Sequence, residues 1–122
     1  MRDIKFRGKG LNSNKWEYGS LVNTTFRPYI IDGTTLSEHP INIDTVRQYT
    51  GLKDQNGNEI YEGDILNRKY VGFELSYVVV WDEDEAMFKG ERKRTLVELP
   101  PVHFESASII GNIYDNPELL DR

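Results

Sequence analysis

The sequence predicts an all-β protein, a small barrel or sandwich of short antiparallel strands with a one-turn C-terminal helix. Apolar and polar residues alternate from Phe73 to Trp81, with Phe73, Leu75, Tyr77, Val79 and Trp81 on one face, the period of a strand. Asn56-Gly57 lies between segments that can pair. It is the strongest short-range hairpin signal, because both central residues of a type I′ turn need φ > 0. Turn-forming Gly, Asn, Asp and Pro clusters recur at close spacing, which divides the chain into about eight or nine short strands and leaves little room for helix.

Each element follows from local chemistry. Asp3 to Arg7 alternates Ile4 and Phe6 against Asp3, Lys5 and Arg7, a half-buried strand broken by Gly8, Gly10 and Asn12-Ser13-Asn14. Lys15 to Val22 is the second strand of an N-terminal hairpin, with Trp16 and Tyr18 on one face. From Asn23 to Asp44 the periodicity weakens. Phe26 to Ile31 reads as a short strand with Pro28 at an edge, Asp32-Gly33 as a turn and His39-Pro40 as extended loop, so the region is expected to be a loop that covers something or reaches a partner. Asp44 to Arg47 can form a helical turn, and Val46 to Lys53 is rich enough in β-branched and aromatic residues to favour a strand.

Glu59 to Tyr61 returns from the Asn56-Gly57 turn, and Gly63-Asp64 redirects the chain into Ile65 to Lys69. Phe73 to Trp81 is the expected central strand, since Val78 and Val80 add apolar surface to its second face. Asp82 to Glu85 is an acidic turn, Ala86 to Lys89 a return strand, and Lys89 to Arg94 a basic turn leading to a strand at Thr95 to Leu99 that Pro100-Pro101 ends. Ala107 to Tyr114 is the last strand. Asn116-Pro117-Glu118 then starts a short helix, with Asn as N-cap, Pro at the first helical position and an acid at the positive dipole end.

Length and composition bound the function. A chain of 122 residues with 38% hydrophobic content is expected to form one domain, residues 1 to 122, around a modest core. Its high surface-to-volume ratio makes a homo-oligomer an ordinary route to extra stability. The absence of cysteine excludes disulfides, thiolate metal sites and cysteine nucleophiles. No apolar run is long enough to span a membrane, and the segment MRDIKFRGKG has no apolar signal-peptide core, so a cytoplasmic protein without a membrane contact is expected. The net charge of -5 is uneven: residues 1 to 30 carry +4, residues 31 to 66 carry -5 and residues 67 to 122 carry -4. That balance opposes bulk coating of nucleic acid but allows a local basic patch near the N-terminus.

The stretch QYTGLKDQNGNEIYEGDIL (Gln48 to Leu66), the N-terminal IKFRGKG with the following KWEYGSL, and IIGNIYDNPELL (Ile109 to Leu120) together resemble the YopX family of bacteriophage and prophage proteins. The motifs match in order and spacing. The resemblance covers both ends and the middle, whereas Asn23 to Ile43 and Lys69 to Ser106 carry little of it. It implies a phage or prophage origin, a bacterial host cytoplasm and a homo-oligomer, and it supplies no catalytic residue. Gly51, Asp54, Asn56, Gly57, Tyr61, Gly63 and Asp64 of the shared motif read as turn and packing determinants.

Candidate chemistry is sparse. Asp54 to Glu59 has acids and amides like a calcium loop, but counting from Asp54 places Glu59 where the sixth-position Gly belongs and Ile65 where the bidentate Glu belongs. Asp82 to Glu85 offers hard oxygen ligands, yet a run of acids at a strand end reads first as a solvated turn that protects a sheet edge. Neither His39 nor His103 has a neighbouring nucleophile motif, and there is no phosphate-binding Gly-rich loop, so neither a cofactor nor a catalytic residue is expected. The one candidate binding patch is basic and aromatic: Lys5, Arg7, Lys9, Trp16 and Tyr18 of the first hairpin, with Arg92, Lys93 and Arg94 of the basic turn. Core packing competes with stacking as the role of Trp16 and Tyr18.

Two functions follow. The favoured one is a non-enzymatic, homo-oligomeric β-domain acting through contacts with a host or phage protein. The alternative is a nucleic-acid-binding module of phage DNA or RNA metabolism that uses the basic N-terminal hairpin.

Overall fold

The computed structural model describes residues 3–24, 26–92, 95 and 97–121. Among them are eleven strands and three short 3-10 turns. The chain divides into two compact units, Met1–Tyr49 and Thr50–Arg122.

In the first unit, β1 (Phe6–Lys9) pairs antiparallel with β2 (Trp16–Val22), which pairs with β3 (Tyr29–Ile31), which pairs with β4 (Glu38–Pro40). On its other side β1 meets the start of β5 (Arg47–Lys53), through Phe6 opposite Gln48 and Arg7 opposite Arg47. Ile30 and Ile41 are fully buried and form the apolar centre of this unit. The expected loop between Asn23 and Asp44 is therefore mostly a second hairpin. Its strands are only three residues long, too short to display alternation, and one is closed by His39-Pro40. The turn between them is built by Asp32, whose Oδ1 accepts the amides of Thr34 at 2.7 Å and Thr35 at 3.2 Å. The helical turn near Asp44 is a 3-10 turn at Ile43–Thr45, capped by the Asn42 side chain accepting from the Asp44 amide.

β5 continues into the second unit, where its neighbour is β6 (Glu59–Tyr61). The rest of that unit is a five-stranded antiparallel sheet in the order β10-β9-β8-β7-β11, made of β7 (Asp64–Tyr70), β8 (Phe73–Asp82), β9 (Met87–Glu91), β10 (Glu98–Leu99) and β11 (Ser108–Asn112). The long alternating segment is its middle strand, as expected. Tyr77 and Val79 of β8 enter a core with Ile60, Leu66, Leu99, Phe104 and Ala107, while Phe73 and Trp81 at the ends of the same face stay exposed. Phe104 reaches this core from a 3-10 turn at Pro101–Ser106 that starts where Pro100-Pro101 ends β10. The expected strand from Thr95 shrinks to Glu98–Leu99; Leu96 lies outside the described residues.

The Asn56-Gly57 hairpin is present with a different turn. Gly57 has φ 82°, but Asn56 is not among the residues with positive φ, so the pair does not form the expected type I′ turn. Instead the Gly57 amide donates to the Asp54 carbonyl at 3.0 Å and the Asp54 amide to the Asn58 carbonyl at 2.9 Å, a type I turn followed by a left-handed glycine. The Asp54 side chain explains the change. Its Oδ1 accepts the amides of Asn56 and Asn58, each at 2.9 Å, and its Oδ2 accepts the Ile109 amide of β11 at 2.9 Å. The turn is thereby clipped to the sheet. The Gln55 amide adds a bond to the Ala107 carbonyl at 2.9 Å, and the Gln55 side chain donates to Ser108 Oγ.

Both sheets have open edges in their strand order, so the barrel half of the expectation falls while the all-β antiparallel class stands. The C-terminal helix is a 3-10 turn at Pro117–Asp121. Asn116, expected as its N-cap, turns its side-chain oxygen back to accept the Asn112 amide at 3.2 Å. No helix among the described residues is long and apolar enough to cross a membrane.

The acidic turn is ordered by its own chemistry. Asp82 Oδ1 accepts the amides of Asp84 and Glu85, and Asp82 Oδ2 lies 2.6 Å from Lys89 Nζ, which also meets Glu98. Lys89 thus joins β8, β9 and β10, and its bond to Asp82 is the main reason that carboxyl lies below the ordinary value while the ammonium lies above its own. Lys89→Met is expected to lower the thermal midpoint, because two carboxylates then face each other without a cation. A calorimetric scan in low and high salt checks this, and the loss should shrink as salt screens the repulsion.

Candidate functional site

The β1 and β2 register assembles the predicted patch. Arg7 stands opposite Tyr18 and Lys9 opposite Trp16, so Arg7 and Lys9 of β1 share a sheet face with both aromatics, and Lys5 directly precedes the strand. Trp16 is gripped by two cations, the Arg7 guanidinium 4.5 Å and the Lys9 ammonium 4.9 Å from its ring centre. Lys5 Nζ lies 5.0 Å from the centre of the Tyr49 ring. These contacts favour cation and ring together and do so more strongly as water is excluded.

Exposure separates members of the patch that sequence treats alike. Arg7 is only 5% exposed and Trp16 is half-buried, whereas Tyr18 is 46% exposed. The alternation expected Ile4 and Phe6 to be the buried side of the first strand. Ile4 instead precedes β1 and is exposed, and Arg7 is sunk. Much of the predicted cationic surface is thus packing.

Beside Tyr18 the face opens into a cleft of about 350 Å³ lined by Lys5, Tyr18, Gly19, Ser20, Asp32, Gly33 and Thr34. Gly19 makes the cleft floor. Its φ is +150°, and a Cβ there would lie 2.0 Å from the Ile31 carbonyl oxygen, so only glycine lets β2 and β3 approach this closely. The amides of Thr34 and Thr35 hold the Asp32 carboxyl below the ordinary carboxylate value, aided by the charge of His39. At neutral pH the cleft therefore carries a fixed anion on the β3–β4 turn and a cation on Lys5, with the Tyr18 ring, the Ser20 hydroxyl and Thr34 as further lining. Such a set can recognise a segment of mixed charge.

Asp32, Ser20 and Thr34 escaped sequence reasoning. The signal for Asp32 was the Asp-Gly-Thr-Thr run, in which an Asp side chain can take the amides two and three residues on. The described first unit holds five of the eight predicted patch residues. Arg92 belongs to the second unit, where its Nη1 donates to the Ser76 carbonyl at 3.1 Å. Lys93 and Arg94 lie outside the described residues. Among the described residues no group of three or more His, Asp or Glu could hold a metal, and the Asp54 carboxylate is occupied by backbone amides. His39 Nε2 lies 3.4 Å from Glu17 Oε2.

The family model described as YopX protein matches residues 5–121. Among solved structures, the chain is similar to the crystal structure of protein EF1440 from Enterococcus faecalis, with 25% identity and a TM-score of 0.61 over 98% of this chain and 99% of that one. Among curated proteins none matches.

Proposed function

Since the chain belongs to the YopX family, we propose that it is a non-enzymatic, homo-oligomeric β-domain of phage or prophage origin that acts through protein contacts in the bacterial cytoplasm, with the Tyr18 cleft as the contact surface. The observation that carries this reading is the mixed charge of the cleft, which Lys5, just before β1, and the ionised Asp32 of the β3–β4 turn both line together with a half-exposed tyrosine. Tyrosine is favoured at the centre of protein interfaces because it offers a large rigid surface and a hydroxyl at little entropic cost. Leu36, on the same turn as Asp32, and Phe26 add exposed apolar surface to this unit.

The same observations weigh against the nucleic-acid alternative at this hairpin. A phosphate backbone approaching Lys5 would meet the Asp32 carboxylate, and Arg7 is too deeply packed to release counterions from a strand. Light scattering on a gel-filtration column tests the proposal. At tens of micromolar the protein is expected to elute as an oligomer, and Tyr18→Ala is expected to shift it toward monomer by weakening association about tenfold or more. A clean monomer for the unmodified chain contradicts the oligomer. Oligonucleotide binding that falls steeply with salt and disappears in a Lys5→Ala, Lys9→Ala double variant would favour the alternative instead.

A further inference from the structure

The second unit carries a different surface, at the end of its longest hairpin. Pairing of Arg68 with Leu75, Tyr70 with Phe73 and Leu66 with Tyr77 puts Arg68, Tyr70, Phe73 and Tyr77 on one face of the β7–β8 ladder. Gly90 stands opposite Val79, so Arg92, two residues on, follows the same side, whereas Glu91 opposite Val78 alternates to the other. Lys69 and Glu74 form a directly opposed pair that also alternates away. This end of the face therefore bears two arginines and no acid.

Its contacts are specific. The Tyr70 and Phe73 rings stack with centres 5.0 Å apart and 10° between planes, and the Arg68 guanidinium lies 5.0 Å from the centre of the Tyr70 ring. The Tyr70 and Tyr77 hydroxyls share a hydrogen bond of 2.8 Å. One hydroxyl of such a pair donates to the other, and with the buried Tyr77 as that donor the Tyr70 hydroxyl keeps its own proton to give. Arg68 and Arg92 both bear electrostatically on the Tyr77 hydroxyl. Among the described residues neither guanidinium is paired with a carboxylate: Arg68 lies on a ring, and Arg92 donates to the Ser76 carbonyl. Phe73 is 57% exposed beside them, at a hairpin tip where Val71 is 99% exposed.

We propose that Arg68, Arg92 and the Tyr70 hydroxyl, held from the core side by the buried Tyr77, form an anion site for a nucleoside phosphate, whose base packs on the exposed Phe73 ring. Planar guanidiniums bind phosphate oxygens through paired N–H donors, and a phenol adds an O–H donor. The adjoining aromatic surface selects a nucleotide over an anion alone, since a base extends an existing ring stack. The site is built from second-unit residues and does not depend on the role of the Tyr18 cleft. Either a free nucleotide or a nucleotide of a single strand presents this chemistry.

Isothermal titration of the full chain at low salt with inorganic phosphate, a nucleoside monophosphate and a short oligothymidylate separates the sources. Expected is binding of the nucleoside monophosphate or the oligothymidylate that is tighter than that of phosphate and weakens with salt. Saturation by the monophosphate identifies a free nucleotide, and binding of the oligothymidylate alone identifies a strand. Arg68→Ala and Arg92→Ala should each weaken binding about tenfold. Phe73→Ala should bring the nucleotide down to the affinity of phosphate, and Lys69→Ala, on the opposite face, should change little. A folded wild-type chain that binds neither nucleotide nor oligothymidylate overturns the site, as does a Lys69→Ala loss equal to that of Arg68→Ala. Equal affinity for phosphate and both nucleotide probes overturns the role of Phe73. Circular dichroism on each variant separates lost binding from lost folding.

Discussion

Asp54→Ala is expected to destabilise the protein by about 3–5 kcal/mol in urea unfolding, although Asp54 lies in a hairpin turn where substitutions are usually mild. The reason is the number of donors that depend on one carboxylate. Asp54 is 5% exposed and accepts three backbone amides, from Asn56 and Asn58 within the turn and from Ile109 on β11. Removing it leaves these amides without their acceptor and cuts the bond between turn and sheet. Asp54→Asn should be only slightly milder, because one carboxamide oxygen replaces two acceptors and the new NH₂ opposes an amide donor. Leu52→Ala, on an exposed part of β5, should cost far less.

Acid unfolding gives the same prediction a pH signature. Burial raises the Asp54 pKa, but the amides of Ile109, Asn58 and Asn56 outweigh it and hold the folded-state value below the ordinary one. A group with a depressed folded pKa contributes fully above its unfolded value, near about 4, and the contribution is lost as pH falls through the folded value. The unmodified protein should therefore lose stability below about pH 4 more steeply than Asp54→Ala, so that the two stability curves converge in acid.

Gly19→Ala is expected to cost about 3 kcal/mol or more and to disrupt the first unit selectively. A methyl group at this position would lie 2.0 Å from the Ile31 carbonyl oxygen and 2.9 Å from its carbon, both backbone atoms of the paired strand. The backbone at φ +150° is also one that side chains rarely adopt. Neither atom can swing aside as a side-chain tip would, so β2 and β3 must separate. Gly33→Ala provides the control: it lines the same cleft, but nothing lies within 4 Å of its missing Cβ. The two tryptophans report on separate units, Trp16 on the first and Trp81 on the second. Fluorescence of single-tryptophan versions should show Trp16 unfolding at lower denaturant in Gly19→Ala, and an unchanged Trp16 transition would refute the close-approach argument.

These two positions also show what sequence can and cannot reveal. That Asn56-Gly57 turns a hairpin was legible, because glycine supplies positive φ wherever the chain needs it. The turn type was not, because the Asp54 carboxylate selects it while holding Ile109, a residue 55 positions away in the chain. The long β8 segment was legible as the central strand, since alternation sustained from Phe73 to Trp81 cannot be read as helix or loop. The three-residue strand β3 was legible only as part of a short strand at Phe26 to Ile31, and β4 was read as loop, because no periodicity fits in so few residues.

The candidate site divides in the same way. Alternation alone put Lys5 and Arg7 on one side of a strand that was expected to end at Arg7, and the pairing of β1 with β2 brought Lys9, Trp16 and Tyr18 onto that side. Burial of Arg7 could not be foreseen, because arginine normally keeps its charged end in water. Asp32 was visible only as a turn former; its role at the cleft depends on the turn folding back beside Tyr18.

Amide hydrogen exchange followed over a wide range of protein concentration reads both self-association through the Tyr18 cleft and its location. Slower exchange at high concentration confined to the segments around Tyr18 to Ser20 and Asp32 to Thr34, and abolished by Tyr18→Ala, is the predicted result. Exchange in those segments that is independent of concentration, while the protein is oligomeric by light scattering, would place the contact surface elsewhere and rule out the Tyr18 cleft.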